Sequence, residues 1–297
     1  MKNLSDKVVL VTGATSGIGR AAARLFVERG AAVVLGGRRR EEGEALAAEL
    51  RGRSGRAVFG MADVRKHADN EALAALALSS FDRLDVAFNN AGVEATGSLM
   101  DFDDAVYDRV FDTNVRGVFS SIRAQIPALT RAHGSIILTS STAGSRGFAQ
   151  AAIYTASKHA VEGIMKAATH ELAPLGIRVN VVAPGPTATD MLDRFTDGHP
   201  EVLAARIPLG RAATPEEVAE AAVWLASDEL VSSTELSSPS MEGSRHEPAV
   251  PRDVSRRRSR VDRWVAFALG RTARYAPRGV AACPIDRYMR PLYLEHV

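Results

Sequence analysis

The chain has 297 residues, enough for one large α/β core, and its 46% apolar and 24% charged composition suits a globular enzyme, not a disordered or fibrous protein. The net charge is only +2, and no run approaches the roughly 18 apolar residues of a membrane span. A single cysteine, Cys283, excludes an internal disulfide framework and any cysteine-based zinc site, and no metal is expected. The basic start MKNLSDK leads into VVLVT and then glycines, which reads as a strand and not a secretory leader, so a cytoplasmic protein is expected.

In chain order, short β-branched runs stand at 8–12 (VVLVT), 32–35 (AVVL), 57–59 (AVF), 86–89 (VAFN), 135–139 (SIILT) and 177–182 (IRVNVV). Between them lie stretches with spaced apolar positions and many helix formers, such as 18–28, 41–50 and 153–172. Thr214 followed by Pro215 opens a later helix that runs to about Ala226. Six strands alternating with helices predict right-handed crossovers and a doubly wound, mostly parallel sheet covered on both faces, a three-layer αβα fold of Rossmann-like class.

Composition changes near Asp228: residues 229–297 hold 12 Arg, no Lys and 8 acids, a net of +4 against +2 for the whole chain. One Rossmann-like domain is therefore expected over 1–228, followed by an atypical Arg-rich tail. The segment RDVSRRRSR lacks interleaved aromatics, so neither nucleic acid nor membrane is an expected partner.

Two patterns carry chemistry. Gly13, Gly17 and Gly19 in TGATSGIG follow the first strand and open the first helix, where glycines allow a tight turn against a pyrophosphate and the helix N-terminus favours its charge. Further on, Tyr154 and Lys158 lie four apart on one helix face, with Ser141 thirteen residues upstream at the end of a strand. A phenol, an ammonium and a hydroxyl brought together suit proton transfer to a carbonyl; the lysine is expected to bring the tyrosine down from its ordinary pKa of about 10.

The spacing of the glycines resembles that of the short-chain dehydrogenase/reductase family, and further segments over about 5–228 fit it: NNAG at Asn89–Gly92, Asn114 lying 27 residues before Ser141, Asp63 after the third strand, and Pro184-Gly185 after the sixth. The resemblance implies Asn114, Ser141, Tyr154 and Lys158 as catalytic residues. Tyr154 would be the general acid/base, Lys158 would also hold the nicotinamide ribose, Ser141 would bond the substrate oxygen, and Asn114 would anchor a water-linked proton path. Ser140 competes for the serine role, but the family spacing selects Ser141. For the cofactor it implies Gly13, Thr15, Ser16, Gly17, Ile18, Gly19, Asp63, Val64, Asn90, Ala91, Gly92, Pro184, Gly185, Thr187 and Thr189, with Tyr154 and Lys158. Gly37 stands where NAD-preferring relatives tend to carry an acid, and Arg38 and Arg39 follow it, so NADP(H) is the expected cofactor with NAD(H) as the alternative.

The expected partner is a small-molecule secondary alcohol or carbonyl compound. Its pocket is expected to be lined by Glu94, Ala95, Arg146, Phe148, Gln150 and the segment 191–207. The resemblance also implies a homo-oligomer, tetramer or dimer, built on the helices around 102–125 and 153–172. After Glu229 the family's final strand and its VDGG-type segment are missing. Residues 233–244 can be encoded so that a two-base shift reads YGAVVAVDGGF, which looks like the missing ending, so a reading-frame change just before residue 233 is expected. A cofactor-binding homologue impaired by this altered C-terminus is the competing functional reading.

Overall fold

Alternation along each strand decides the layering. In β1 (Val8–Thr12) Val9 and Val11 point into one apolar cluster and Val8 and Leu10 into the other; β2 (Ala32–Gly37) repeats the division with Val33 and Leu35 against Ala32 and Val34. Strands buried on both faces need a helical layer on each side. The computed structural model describes residues 4–53, 55–204 and 207–227.

The chain continues through α1 (Gly17–Glu28), α2 (Arg40–Gly52), β3 (Arg56–Met61), α3 (His67–Phe81), β4 (Val86–Asn89) and α4 (Asp104–Phe111). A single π turn, Asp112–Arg116, joins α4 to α5 (Gly117–Ala132). Then come β5 (Ser135–Thr139), α6 (Ala152–Leu172), β6 (Arg178–Val182), α7 (Asp190–Phe195), α8 (Glu201–Ala204) and α9 (Pro215–Ala226). The six strands form one sheet in the order β3-β2-β1-β4-β5-β6, every pairing parallel. Strand order reverses between β1 and β4, so the crevice at their C-terminal ends is the ligand position expected of such a sheet.

One core cluster lies under α1, α2 and α9 and contains Phe26 and Phe88; the other lies under α3, α5 and α6 and contains Leu129, Ile136 and Leu138, all essentially inaccessible. Burial of each such side chain contributes about 1.5–3 kcal/mol. Helix α9 starts with a capping box: Thr214 Oγ1 accepts from Glu217 N at 3.2 Å while Glu217 Oε2 accepts from Thr214 N at 2.8 Å.

The expected strands all form, with β2 and β3 running longer than their apolar runs and β6 beginning one residue later, at Arg178. The fold is the expected doubly wound parallel sheet. Among the described residues β6 pairs with β5 alone. The expected loss of a seventh strand, the Arg-rich tail and the reading-frame change concern positions beyond Ser227 and lie outside the described residues.

Candidate active site

The loop between β1 and α1 is shaped by two glycines. Gly13 has φ +65°, in the left-handed region, and a Cβ there would lie 2.9 Å from Ala91 Cα; a Cβ on Gly19 would collide with the Gly13 carbonyl and the Asn90 amide. Backbone therefore meets backbone at the sheet's switch point. Thr12 locks the contact: its Oγ1 accepts from Asn90 N at 3.1 Å and from Ala91 N at 3.2 Å. Ser16 stands at the N-cap of α1 in an extended conformation, and its side chain makes no cap bond, which leaves the first-turn N–H groups without a partner from their own cap side chain. A cradle that only glycine fits, with an uncapped helix start above it, suits a pyrophosphate.

Between β2 and α2, Arg39 leads. Its Nε and Nη2 donate to Thr15 Oγ1 at 3.1 and 2.9 Å, and Arg20 Nε donates to Thr15 O at 3.0 Å. Arg38 is exposed. Gly37 is small for a reason: a Cβ there would press within 3.0 Å of Thr15 Cγ2. Arg20, not anticipated from the sequence, is the third cation at this corner; its position directly after Gly19 was the available signal. Asp63 accepts from Arg65 N at 3.1 Å and from its Nε at 2.9 Å, and the Arg65 hydrogen bond holds its carboxyl below the ordinary range. Val64 is buried beside Gly117, its carbonyl accepting from Asn70 Nδ2 at 2.8 Å.

The π turn between α4 and α5 carries Asn114, which is wholly buried. Its Oδ1 accepts from Val93 N at 2.8 Å, and its Nδ2 donates to Val93 O at 2.9 Å and to Ser157 Oγ at 3.0 Å. The amide thus ties the loop after β4 to α6. Gly92 leaves room between them: a Cβ there would lie 3.3 Å from Asn114 Oδ1 and 3.5 Å from Lys158 Nζ.

On α6, Lys158 Nζ donates to Thr139 O at 2.8 Å and stands 5.6 Å from the Tyr154 ring centroid, while Ser141 Oγ accepts from Ala143 N at 3.2 Å. Burial pushes the Tyr154 phenol above its ordinary value; the neighbouring Ser141 hydroxyl opposes this and the Glu94 charge adds to it. Burial also brings Lys158 down to about 8. The influence that lowers the phenol here is Ser141, whereas the sequence pattern pointed to Lys158: a lysine sealed in the same low-dielectric pocket has its own charge disfavoured. Ser140 points away, donating to Glu162 Oε1 at 3.0 Å.

The loop after β6 closes over this cluster. Thr142 N donates to Pro184 O at 2.9 Å, Thr187 Oγ1 to Gly185 O at 3.0 Å and Thr189 Oγ1 to Thr187 O at 3.2 Å. Thr189 caps α7, and its methyl would stand 3.1 Å from a Cβ on Gly17. Of the expected pocket residues, Gln150 O accepts from Gly97 N at 2.9 Å, Phe148 and Arg146 are exposed, Ala95 is buried, and Glu94 pairs with Arg194 of α7 at 2.6 Å.

Fold and crevice together define a dinucleotide-dependent enzyme of the doubly wound class. A family model described as enoyl-(acyl carrier protein) reductase matches residues 13–235. An A-factor type gamma-butyrolactone 1'-reductase (1S-forming) of Streptomyces virginiae is 43% identical over 231 residues, 76% of this chain and 90% of that protein. The cyclopentanol dehydrogenase of Comamonas testosteroni is 40% identical over 232 residues, 77% of this chain and 93% of its own. Among solved structures, a short-chain type dehydrogenase/reductase from Mycobacterium marinum superposes with a TM-score of 0.73 at 34% identity, covering 77% of this chain and 91% of that one. An actinorhodin polyketide ketoreductase variant with NADPH gives 0.72 at 35% identity, covering 77% and 93%. The chain belongs to the short-chain dehydrogenase/reductase family and is a nicotinamide-dependent oxidoreductase acting on CH–OH or C=O groups.

Proposed function

We propose that the chain reduces a ketone to a secondary alcohol, or runs the reverse, with Tyr154 as general acid/base. The observation that carries this is Tyr154, half-buried on α6 with its ring centroid 5.6 Å from Lys158 Nζ and with the Ser141 hydroxyl close enough to favour its phenolate. A bound nicotinamide supplies or accepts the hydride. The chain's own part is the proton. With its phenol held up by burial, Tyr154 is protonated near neutrality and ready to donate to a carbonyl oxygen, while Ser141 steadies that oxygen. Lys158 binds the ribose and, when charged, favours the phenolate left behind; Asn114 holds the loop and helix that frame the lysine.

NADP(H) is the preferred cofactor in this reading, supported by Arg39 and Arg20 gathered at Thr15, by exposed Arg38 beside them and by the absence of a carboxylate at Gly37. The glycine cradle, Asp63, Val64, Asn90, Ala91, Gly92, Pro184, Gly185, Thr187 and Thr189 complete the proposed cofactor site. A homo-oligomer in the cytoplasm belongs to the same reading. The assembly part of it is supported by half-exposed Tyr107 and Phe119 beside a cleft of about 400 Å³ between α4, α5 and α6.

Replacing Tyr154 by Phe should abolish turnover of cyclopentanone with NADPH while NADPH binding persists. Retained turnover in that variant would remove Tyr154 from the role.

A further inference from the structure

Helix α7 crosses the mouth of the crevice with its two ends held differently. Its start is capped by Thr189, and Leu192 is buried beneath it. Its end is joined to the loop after β4 by an ion pair, Arg194 Nε to Glu94 Oε1 at 2.6 Å, between residues 100 positions apart. Glu94 sits on the firm side of the pair. Its side chain is only 13% exposed, its carbonyl accepts from Arg109 Nη1 at 3.2 Å, and its neighbour Val93 is gripped on both backbone groups by Asn114. Arg194 is 61% exposed, so the pair closes from the solvent side.

The next residue, Phe195, stands edge-on to Tyr154 with ring centroids 6.1 Å apart. Seating α7 therefore fixes an apolar wall against the acid/base. Glu94 and Arg194 also line a cleft of about 450 Å³ together with Ala95, Gly97, Phe102 and Arg109. We propose that Glu94 and Arg194 form a charge-paired clasp that seats Phe195 against Tyr154, making both charged residues positioning residues and selecting uncharged carbonyl compounds with an apolar flank.

The clasp has a second, electrostatic consequence. The Glu94 carboxylate disfavours the Tyr154 phenolate, and Arg194 is the cation paired with it. The other charges facing the pair are Arg109 on α4, Asp101 in the loop before it, Asp190 and Asp193 on α7 itself, and Lys158 beside Tyr154 on α6. Removing Arg194 leaves the carboxylate unopposed and moves the phenol further up; removing the Glu94 charge leaves Arg194 near the phenol and moves it down.

Two measurements test this, on the full chain. The first needs no substrate: backbone hydrogen exchange over 190–198 should quicken by about two- to five-fold in Glu94→Gln and in Arg194→Gln, the size expected of a partly exposed pair, and return toward wild type in the double swap Glu94→Arg with Arg194→Glu. Unchanged exchange in both single variants would overturn the clasp. The second rests on the Tyr154 reading above and uses cyclopentanone and cyclopentanol as probes. KM should rise more than kcat falls in both single variants, and the pH limb of kcat/KM for cyclopentanol oxidation should move to lower pH in Glu94→Gln but to higher pH in Arg194→Gln. Limbs moving the same way would overturn the electrostatic part. A wild-type chain that turns over neither probe would count against the functional reading alone, because the exchange measurement decides the clasp without turnover.

Discussion

Truncating Asn114 to Ala removes three hydrogen bonds from a side chain with no solvent exposure. Ser157 keeps a bond of its own, donating to Tyr154 O at 2.7 Å, so the groups left stranded are the N–H and C=O of Val93. A buried polar group without a partner costs about 1–3 kcal/mol, and because Val93 is only half-buried about 2–6 kcal/mol is the upper range for the pair. Water entering the space vacated by the amide pulls the figure to the lower half of that range. Against a total stability of about 5–15 kcal/mol for a domain, this is a large loss. Urea unfolding followed by circular dichroism, at one fixed protein concentration so that assembly does not confound the comparison, should show it as a lower midpoint with an unchanged slope. Because the same amide holds the loop bearing Glu94, kcat/KM should fall along with stability. A destabilisation below about 0.5 kcal/mol would refute the view that this amide holds the β4 loop to α6.

Replacing Arg39 by Ala should weaken NADPH binding by about 10- to 100-fold, the worth of charge-assisted bonds, while NADH affinity changes little; equal losses for both would count against a 2′-phosphate site. Lys158 carries a pH signature. Its folded pKa of about 8 lies below the unfolded value of about 10.4, so the unfolded chain binds more protons between these two values and stability from this group rises with pH across that window. Lys158→Met should therefore gain more stability over wild type at pH 7 than at pH 10, as read from paired urea titrations, and a pH-independent difference would contradict the burial of a charged lysine. For the tail, sequencing the coding DNA should reveal an alternative frame near residue 233 able to encode a VDGG-type segment; its absence would leave residues 229–297 as a genuine extension.

Much of the fold is legible because buried parallel strands are written as β-branched runs. The runs for β1, β4 and β5 match the observed bounds residue for residue. The outer strand β3 extends past its run because its ends, Arg56 and Met61, are exposed and carry no burial signal. The site was legible where chemistry depends on spacing within one element or on glycines that admit no Cβ, as with Tyr154, Lys158 and Gly13. It was not legible where long-range packing decides. Nothing local announces that Glu94 meets Arg194, that Arg39 rather than Arg38 reaches Thr15, or that Lys158 is buried deeply enough to have its own charge disfavoured.

Hydride transfer itself is the most direct test. The wild-type chain and Tyr154→Phe would each be mixed with NADPH deuterated at both C4 positions and with cyclopentanone or a β-keto thioester, and the product analysed by mass spectrometry. The expected result is deuterium on the carbinol carbon in wild type and none in the variant, with NADPH binding by both chains. Label transfer that survives the loss of the Tyr154 hydroxyl, or a wild-type chain that binds NADPH yet transfers no label to any ketone offered, would contradict it.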